Sequence, residues 1–130
     1  MPTRHVLVVA CRSARSEQLR DALHARAQRE ATEYTLLLPA PEDDADEART
    51  LIRSAVESLR DSGLDVAGRL GESDPCATVE EVWDPGEYDE IVVCTLPSGR
   101  SHWLEQDVPA RLGQMTGVPV EHVVAFDGLR

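Results

Sequence analysis

Short apolar runs of strand length alternate with helical patterns along the whole chain, and this alternation limits the fold more than any other feature. The first run, HVLVVA, is continuous, as expected for a parallel strand that is covered on both faces. Strands are predicted at residues 5–10, 34–39, 64–71, 88–96 and 118–126. The resulting β-α-β-α-β-α-β-α-β order and right-handed crossovers predict an α/β fold, with one open five-stranded parallel sheet and helices on both faces.

The helices are predicted from one-sided apolar stripes with the i, i+3, i+4 spacing of a helix face. Gly63 is expected to end the second helix, whereas Asp74 and Pro75 are expected to begin the third. The acidic residues 42–44 lie in the predicted first turn of the second helix, where the helix dipole favours negative charge. The side chains expected to face the sheet are Leu19, Ala22, Leu23, Ala27, Ala45, Ala48, Ile52, Ala55, Val56, Leu59, Val79, Val82, Trp83, Val108, Leu112 and Met115.

The size and charge of the chain limit its class and its partners. With 42% hydrophobic residues, residues 1–130 are expected to form one domain with a sizeable core. No apolar run approaches the roughly 20 residues that span a bilayer, and no secretory leader is recognised, so a cytoplasmic protein is expected. The net charge of −11 argues against nucleic-acid and membrane partners, since both are anionic.

Five consecutive segments of the second half follow the element order of a known family. They are GESDPCATVEEV, YDEIVVCT, LPSGRSHWLEQD, VPARLGQM and VPVEHVV. In this order and spacing they resemble the universal stress protein family. The first half is similar more loosely, with HVLVVACRSARSEQL where that family has a strand, an Asp-Gly-Ser turn and a helix. The resemblance implies strand order 3-2-1-4-5 and a homodimer joined through the last strand, from Val118 to Phe126.

ATP-binding members of that family hold the nucleotide at the loop after the fourth strand, through a G-x2-G-x9-G-[S/T] motif. Here the first glycine position holds Cys94 and the second holds Pro97, and the closing pair falls at about Gln106 and Asp107. Gly99 is the one glycine in this loop. Since glycines let backbone N–H groups approach phosphate closely, these departures predict that ATP binding is weak or lost.

Two further parts of the sequence bear on nucleotide binding: Asp107 and the loop after the first strand. Asp107 directly precedes the last predicted helix, and it is expected to cap that helix with its own carboxylate. Such a cap would occupy the anion site and repel phosphate. After the first strand, the family's Asp and Gly positions hold Cys11 and Arg12, whereas Ser13 and Ser16 are retained.

Two arginines offer a way to rebuild an anion site, because a guanidinium binds phosphate or carboxylate with two hydrogen bonds. Arg12 follows the first strand, and Arg100 lies in the loop after the fourth. Open parallel sheets bind ligands at these strand ends, where the strand order reverses. ATP or AMP is the candidate ligand. The candidate ligand-binding residues are Cys11, Arg12, Ser13, Cys94, Ser98, Gly99, Arg100, Ser101 and Asp107.

Cys11 and Cys94 point to a second kind of chemistry, since both end strands that are expected to be neighbours. A reactive thiol or redox pair is favoured by Arg12 and the following helix, which would lower the pKa of Cys11. Two buried, inert cysteines are the simpler interpretation. The segment VLVVACRSARSEQL also resembles the phosphate loop of low-molecular-weight tyrosine phosphatases, but neither Arg12 nor Arg15 has a cysteine six residues before it.

The leading hypothesis is a non-enzymatic regulatory or stress-response module with the universal stress protein fold and weak or lost ATP binding. Two alternatives stay open: a nucleotide-binding switch built on Arg12 and Arg100, and a thiol-based redox or phosphatase-like enzyme at Cys11. No metal site is predicted, because the four histidines lack metal-binding spacing. A protein partner is compatible with the acidic segments of the chain.

Overall fold

The computed structural model describes residues 3–10, 12–39, 45–71, 74–84, 86–95 and 107–125. Within these ranges the strands are β1 (Arg4–Ala10), β2 (Thr32–Pro39), β3 (Asp65–Gly71), β4 (Glu90–Thr95) and β5 (Val120–Val124). The helices are α1 (Glu17–Arg29), α2 (Ala45–Asp61), α3 (Pro75–Val82) and α4 (Val108–Thr116), and a 3-10 turn (Arg12–Arg15) lies between β1 and α1. Every predicted strand is therefore present within a few residues of its predicted bounds.

The described strands form one five-stranded parallel sheet in the order β3-β2-β1-β4-β5, which confirms the predicted fold class. β1 lies in the middle, with Arg4 opposite Thr32 of β2 and Val6 opposite Glu90 of β4. From β1 the chain moves outward to β3, and from β4 it moves the other way to β5. The strand order thus reverses between β1 and β4, whose carboxyl ends mark the usual ligand position of open α/β sheets.

Alternate residues of the central strands contribute to two separate cores. Val6 and Val8 of β1 pack on the face covered by α1 and α2, whereas Leu7 and Val9 pack on the face covered by α3 and α4. Each of these four side chains is at most 1% exposed. Burying one such side chain stabilises the fold by about 1.5–3 kcal/mol. The sheet is therefore covered on both faces, as its continuous apolar strands predict.

Helix ends lie at the residues that the sequence signals indicate. Asp74 caps α3 by accepting a 3.2 Å hydrogen bond from the Cys76 backbone N–H, with Pro75 at the first helical position. Gly63 follows α2 with a φ of 103°, a left-handed conformation that glycine adopts freely, which confirms the predicted stop. Ser16 caps α1 by accepting a hydrogen bond from an N–H of the first turn.

The inward stripe of α4 is confirmed at Val108 and Leu112, which are fully buried, but it is wrong at Met115. Met115 is 40% exposed. α4 packs at the margin of the sheet beside β5, the outermost described strand on that side, so its last turn has less sheet to contact. The side chain of Ala45 and residues 42–44, for which sequence predictions were also made, lie outside the described part of the chain.

Candidate functional site

The candidate ligand site lies at the carboxyl ends of β1 and β4, where the strand order reverses. The 3-10 turn follows the end of β1, and its residues Ser13 and Ala14 are buried. β4 ends at Cys94 and Thr95, which are at most 2% exposed. The structure therefore brings the predicted residues Ser13 and Cys94 together, although they lie 81 positions apart in the sequence.

The Ser13 hydroxyl joins the two strand ends. Its Oγ donates a 2.8 Å hydrogen bond to the backbone carbonyl of Cys94, and only 4% of Ser13 is exposed. In return, the Cys94 thiol donates to the Ser13 carbonyl at an S···O distance of 3.8 Å. Because a hydroxyl has one proton to donate, Ser13 has none left for a ligand in this arrangement.

The Cys94 side chain is fully buried beside these polar groups. Ser16 Oγ lies 3.7 Å from Cys94 Sγ and also accepts the N–H of Leu19 at 3.2 Å. Burial raises the pKa of the Cys94 thiol, although hydrogen bonds with Ser13 and Ser16 act in the opposite direction. The thiol is therefore protonated at neutral pH, which favours an inert core residue over a redox centre at Cys94.

Asp107 directly precedes α4 as predicted, but the expected helix cap is wrong. Its side chain makes no capping hydrogen bond, and its backbone is left-handed, with φ 55° and ψ 44°. A capping side chain needs an extended backbone to reach the N–H groups of the first turn, and a left-handed turn directs it elsewhere. The contact with the helix is instead a 3.0 Å bond from the Arg111 N–H to the Asp107 carbonyl. The carboxylate therefore does not occupy the helix N-terminus.

The remaining predicted site residues are described only in part. Arg12 opens the 3-10 turn after β1, but its side chain lies outside the described part of the chain. Also outside it are Cys11, Ser98, Gly99, Arg100 and Ser101. The anion site expected from the two arginines and the reactive thiol expected at the end of the first strand both stay predictions.

One polar pair on the β4–β5 side of the sheet has no signal in the sequence. Thr95 Oγ1 and His122 Nε2 lie 2.7 Å apart and join β4 to β5. Thr95 is 2% exposed, and burial lowers the pKa of His122, so its imidazole is neutral at pH 7. The two residues are 27 positions apart, and the strand register, with Val93 opposite His122, brings them together.

A second polar cluster lies at the amino ends of the strands, at the end of the sheet opposite the candidate ligand site. Glu90 at the start of β4 accepts hydrogen bonds from Arg4 Nε at 2.8 Å and from Arg26 of α1. Arg26 also donates to Glu121 of β5 at 3.1 Å, and Arg4 Nε lies 3.5 Å from a Glu30 carboxylate oxygen. These ion pairs join three strands to α1. Sequence analysis did not detect them, since they depend on strand register.

The half-buried pair of Arg26 and Glu90 dominates the electrostatics of this cluster. Burial alone would raise the pKa of Glu90, but bonds from Arg26 and Arg4 outweigh it and lower the pKa. The pair borders a cavity of about 250 Å³, lined by three arginines and three glutamates. The buried Arg26 Nε has no hydrogen-bond partner among the described atoms. Because its charges balance, the cavity offers no net attraction for a phosphate group.

The described residues contain neither a metal-binding cluster nor a membrane-spanning helix. No group of three or more His, Cys, Asp or Glu side chains in these ranges is arranged to hold a metal ion. No helix in them is long and apolar enough to cross a membrane.

The strand order and the two helical layers define an open, doubly wound α/β protein. The chain is similar in fold to the structure of the universal stress protein from Archaeoglobus fulgidus, with a TM-score of 0.63. The two share 16% sequence identity, over 92% of this chain and 94% of that chain. No model of a known protein family matches the chain, and no curated protein matches it. At this identity the likeness shows a universal-stress-protein-like fold, and fold alone does not determine function.

Proposed function

We propose that this chain is a non-enzymatic regulatory module with a universal-stress-protein-like fold, that it acts in a stress response, and that its ATP binding is weak or lost. The observation that carries the proposal is the bond between Ser13 and Cys94 at the point where the strand order reverses. In the family that the sequence resembles, the Cys94 position holds a glycine. A buried side chain at that position fills space that a glycine leaves open for a phosphate group.

Calorimetric titration of the purified chain with Mg-ATP and then AMP tests this proposal. We expect no binding heat up to about 1 mM nucleotide, which corresponds to a binding free energy weaker than about −4 kcal/mol. Asp107→Asn is the matched variant, because asparagine keeps the size of aspartate, tolerates the left-handed backbone and removes the charge. A wild-type dissociation constant in the micromolar range would contradict the proposal. If only the variant binds nucleotide, the negative charge of Asp107 is the cause of the lost affinity.

One observation favours a second candidate, the nucleotide-binding switch built on Arg12 and Arg100. Asp107 does not cap α4, so its carboxylate does not occupy the helix N-terminus. In this case the wild type binds Mg-ATP or AMP with micromolar affinity, and Arg12→Ala and Arg100→Ala each weaken binding at least about tenfold. Arg53→Ala is the control, because Arg53 is exposed on α2 and belongs to neither of the two loops.

The proposal includes a homodimer joined through the last strand. β5 is the outermost described strand on its side, and its three valines are half-buried, so an apolar edge is available for pairing. We expect Val124→Lys to remove the β5 contact and so to lower the molar mass of the assembly in size-exclusion chromatography with light scattering, since a lysine at a strand edge opposes pairing. A wild-type chain that elutes as a monomer, or a variant that remains dimeric through this edge, would contradict the β5 contact.

The proposal also places the chain in a reducing compartment, the cytoplasm. Cys76 and Cys94 are free and buried in the described structure, and burial raises the pKa of both thiols. Unpaired cysteines of this kind are typical of proteins that are not exposed to an oxidising environment. Fluorescence microscopy of a tagged chain in its own cells tests the location, and a signal outside the cytoplasm would contradict it.

A further inference from the structure

The strand β3 forms the second free edge of the sheet. It is the outermost described strand on its side and pairs only with β2 in the described structure. Five of its seven residues are exposed, including Ala67. A strand edge of this kind presents backbone N–H and C=O groups that can pair with another strand. What covers it depends on the side chains that flank the edge.

The two faces of β3 carry different chemistry. Leu64, just before the strand, and Val66 belong to the core under α2. Gly68 lies on the same face, where a Cβ would come within 2.8 Å of the Val56 side chain. Because side chains alternate along a strand, the opposite face carries the exposed residues Asp65, Ala67 and Arg69. One face of the edge is therefore apolar, and the other is charged.

The charged face has no complementary ion-pair partner among the described residues. The residue directly opposite Asp65 on β2 is Glu33, which has the same charge, and like charges in this position destabilise a sheet. Arg69 lies opposite the apolar Leu37. Neither Asp65 nor Arg69 belongs to an ion pair in the described structure. A second chain that places an opposite charge beside Asp65 and another beside Arg69 would neutralise both residues.

The apolar face carries an open groove between α2 and β3. Ile52, Val56, Gly68 and Leu70 line it, with Arg53 at its margin, and its volume is about 260 Å³. Leu70 is one of the large hydrophobic residues left exposed in the described chain, at 37%. Apolar surface of this kind is stabilised when another surface covers it.

We propose that β3 pairs antiparallel with β3 of a second copy of this chain, with Ala67 on the two-fold axis. The segment from Leu64 to Leu70 reads LDVAGRL, which is self-complementary about its central alanine. In this register Asp65 lies opposite Arg69 of the second copy, and Leu64 lies opposite its Leu70. The Asp65–Arg69 pair and the Leu64–Leu70 pair each occur twice by symmetry, small residues meet at the axis, and Leu64 and Val66 of each copy lie opposite the Leu70 and Gly68 that line the groove of the other copy.

One existing contact at this edge is compatible with the pairing. The Arg60 Nε of α2 donates a 2.7 Å hydrogen bond to the Val66 carbonyl. A carbonyl oxygen has two lone pairs, so it can accept a second bond from a strand of the other copy. β5 lacks the same self-complementarity: centred on His122, its Glu121 would face Val123 of the second copy, without an opposite charge. The charge pattern therefore singles out β3.

Charge reversal tests the register. Asp65→Arg places two arginines opposite each other at each pair, and Arg69→Asp places two aspartates there. We expect each variant to raise the dimer dissociation constant at least about tenfold in sedimentation velocity, as two lost cross-strand pairs imply. Mixing the two variants restores attractive pairs at both positions, so the mixture forms a heterodimer with an affinity near that of the wild type.

A covalent test does not depend on affinity. Ala67→Cys places two cysteines opposite each other across the axis, at the roughly 4.5–5.5 Å Cα separation of antiparallel pairs, which suits a disulfide. Under mild oxidation this variant is expected to form a covalent dimer on a non-reducing gel within minutes. Thr50→Cys, exposed on α2, is the matched control and is expected to cross-link far more slowly.

Several results would overturn this inference. They are a wild-type chain that stays monomeric at millimolar concentration, charge reversals without effect on association, a mixture that does not recover, or equal cross-linking of the two cysteine variants. The circular dichroism spectrum of each variant shows whether it is folded. Val124→Lys leaves β3 unchanged, so loss of the β5 dimer and loss of the β3 contact are measured separately.

Discussion

The Ser13 hydroxyl lies 2.8 Å from the backbone carbonyl of Cys94 and donates a hydrogen bond to it, across 81 positions of sequence. This bond connects the turn after β1 to the end of β4, the two elements that would face a ligand in this fold. Both residues are buried, so water does not compete for the bond. The point where the strand order reverses is therefore held together by the chain's own polar groups.

Ser13→Ala is expected to destabilise the fold. The substitution leaves the buried Cys94 carbonyl without this donor, and an unsatisfied buried group costs about 1–3 kcal/mol. Urea unfolding followed by circular dichroism measures the change in the free energy of unfolding. Ser58→Ala is the control, since Ser58 is exposed on α2, and a change of at most about 0.5 kcal/mol is expected there. Equal effects of the two substitutions would show that the Ser13 bond contributes nothing.

Acid is expected to weaken the fold through Glu90. Burial acts to raise its pKa, but bonds from Arg26 and Arg4 outweigh burial and lower the pKa in the folded state. In the unfolded chain the pKa of a glutamate carboxyl is about 4.3. A group whose folded pKa is depressed contributes stability above its unfolded pKa, and that stability is lost as the pH falls through the folded pKa. The free energy of unfolding should therefore fall with pH below about 4.3.

The variant Glu90→Gln isolates this contribution. It removes the charge that Arg26 and Arg4 neutralise, so we expect a loss of about 2 kcal/mol at pH 7, the size of a hydrogen bond to a charged group. The acid limb of its stability curve should be flatter than that of the wild type. Glu80→Gln on α3 is the control, because Glu80 is exposed and has no ion pair in the described structure. Parallel acid limbs for wild type and Glu90→Gln would contradict the assignment.

The sequence predicted the fold well because each element carries its own local signal. Continuous apolar runs mark the buried parallel strands, and the cap at Asp74 and the stop at Gly63 both act within one helical turn. The strand order, in contrast, depended on resemblance to a family as well as on these patterns. Met115 was misplaced because its burial depends on how far the sheet extends under α4, which periodicity along one helix does not reveal.

The candidate site was only partly predictable. Ser13 and Cys94 were both candidate ligand residues, and they lie together because neighbouring parallel strands end on the same side of the sheet. Their role in ligand binding stays a prediction. The capping interpretation of Asp107 was wrong, since sequence does not reveal whether a residue before a helix is extended or left-handed. The hydrogen bond between Thr95 and His122 depends on strand register, which no short motif predicts.

The left-handed backbone of Asp107 leads to a stability prediction. It distinguishes the effect of backbone conformation from the effect of a side-chain helix cap. With φ at 55°, a β-branched residue is disfavoured there, so Asp107→Val should destabilise the fold by about 1–2 kcal/mol. Asp107→Gly should be neutral or slightly stabilising. Asp74→Ala is the positive control for a true cap, with an expected loss of about 1 kcal/mol. If Asp107→Val and Asp107→Gly have the same free energy of unfolding, the left-handed conformation is not adopted in solution.

Two glycines predict opposite effects of the same substitution. A Cβ added at Gly71, the last residue of β3, would clash with the Thr78 methyl group, and Thr78 is fully buried in α3. Gly71→Ala should therefore cost about 1–3 kcal/mol, because α3 must move away from the strand. A Cβ at Gly113 would lie 3.6 Å from Val120, an ordinary contact, and Gly113 is inside α4. Gly113→Ala should stabilise the fold by about 0.5–1 kcal/mol, since alanine favours the helix. Thermal and urea unfolding of the two variants measure both changes, and a Gly71→Ala variant as stable as the wild type would show that α3 does not pack this closely against the end of β3.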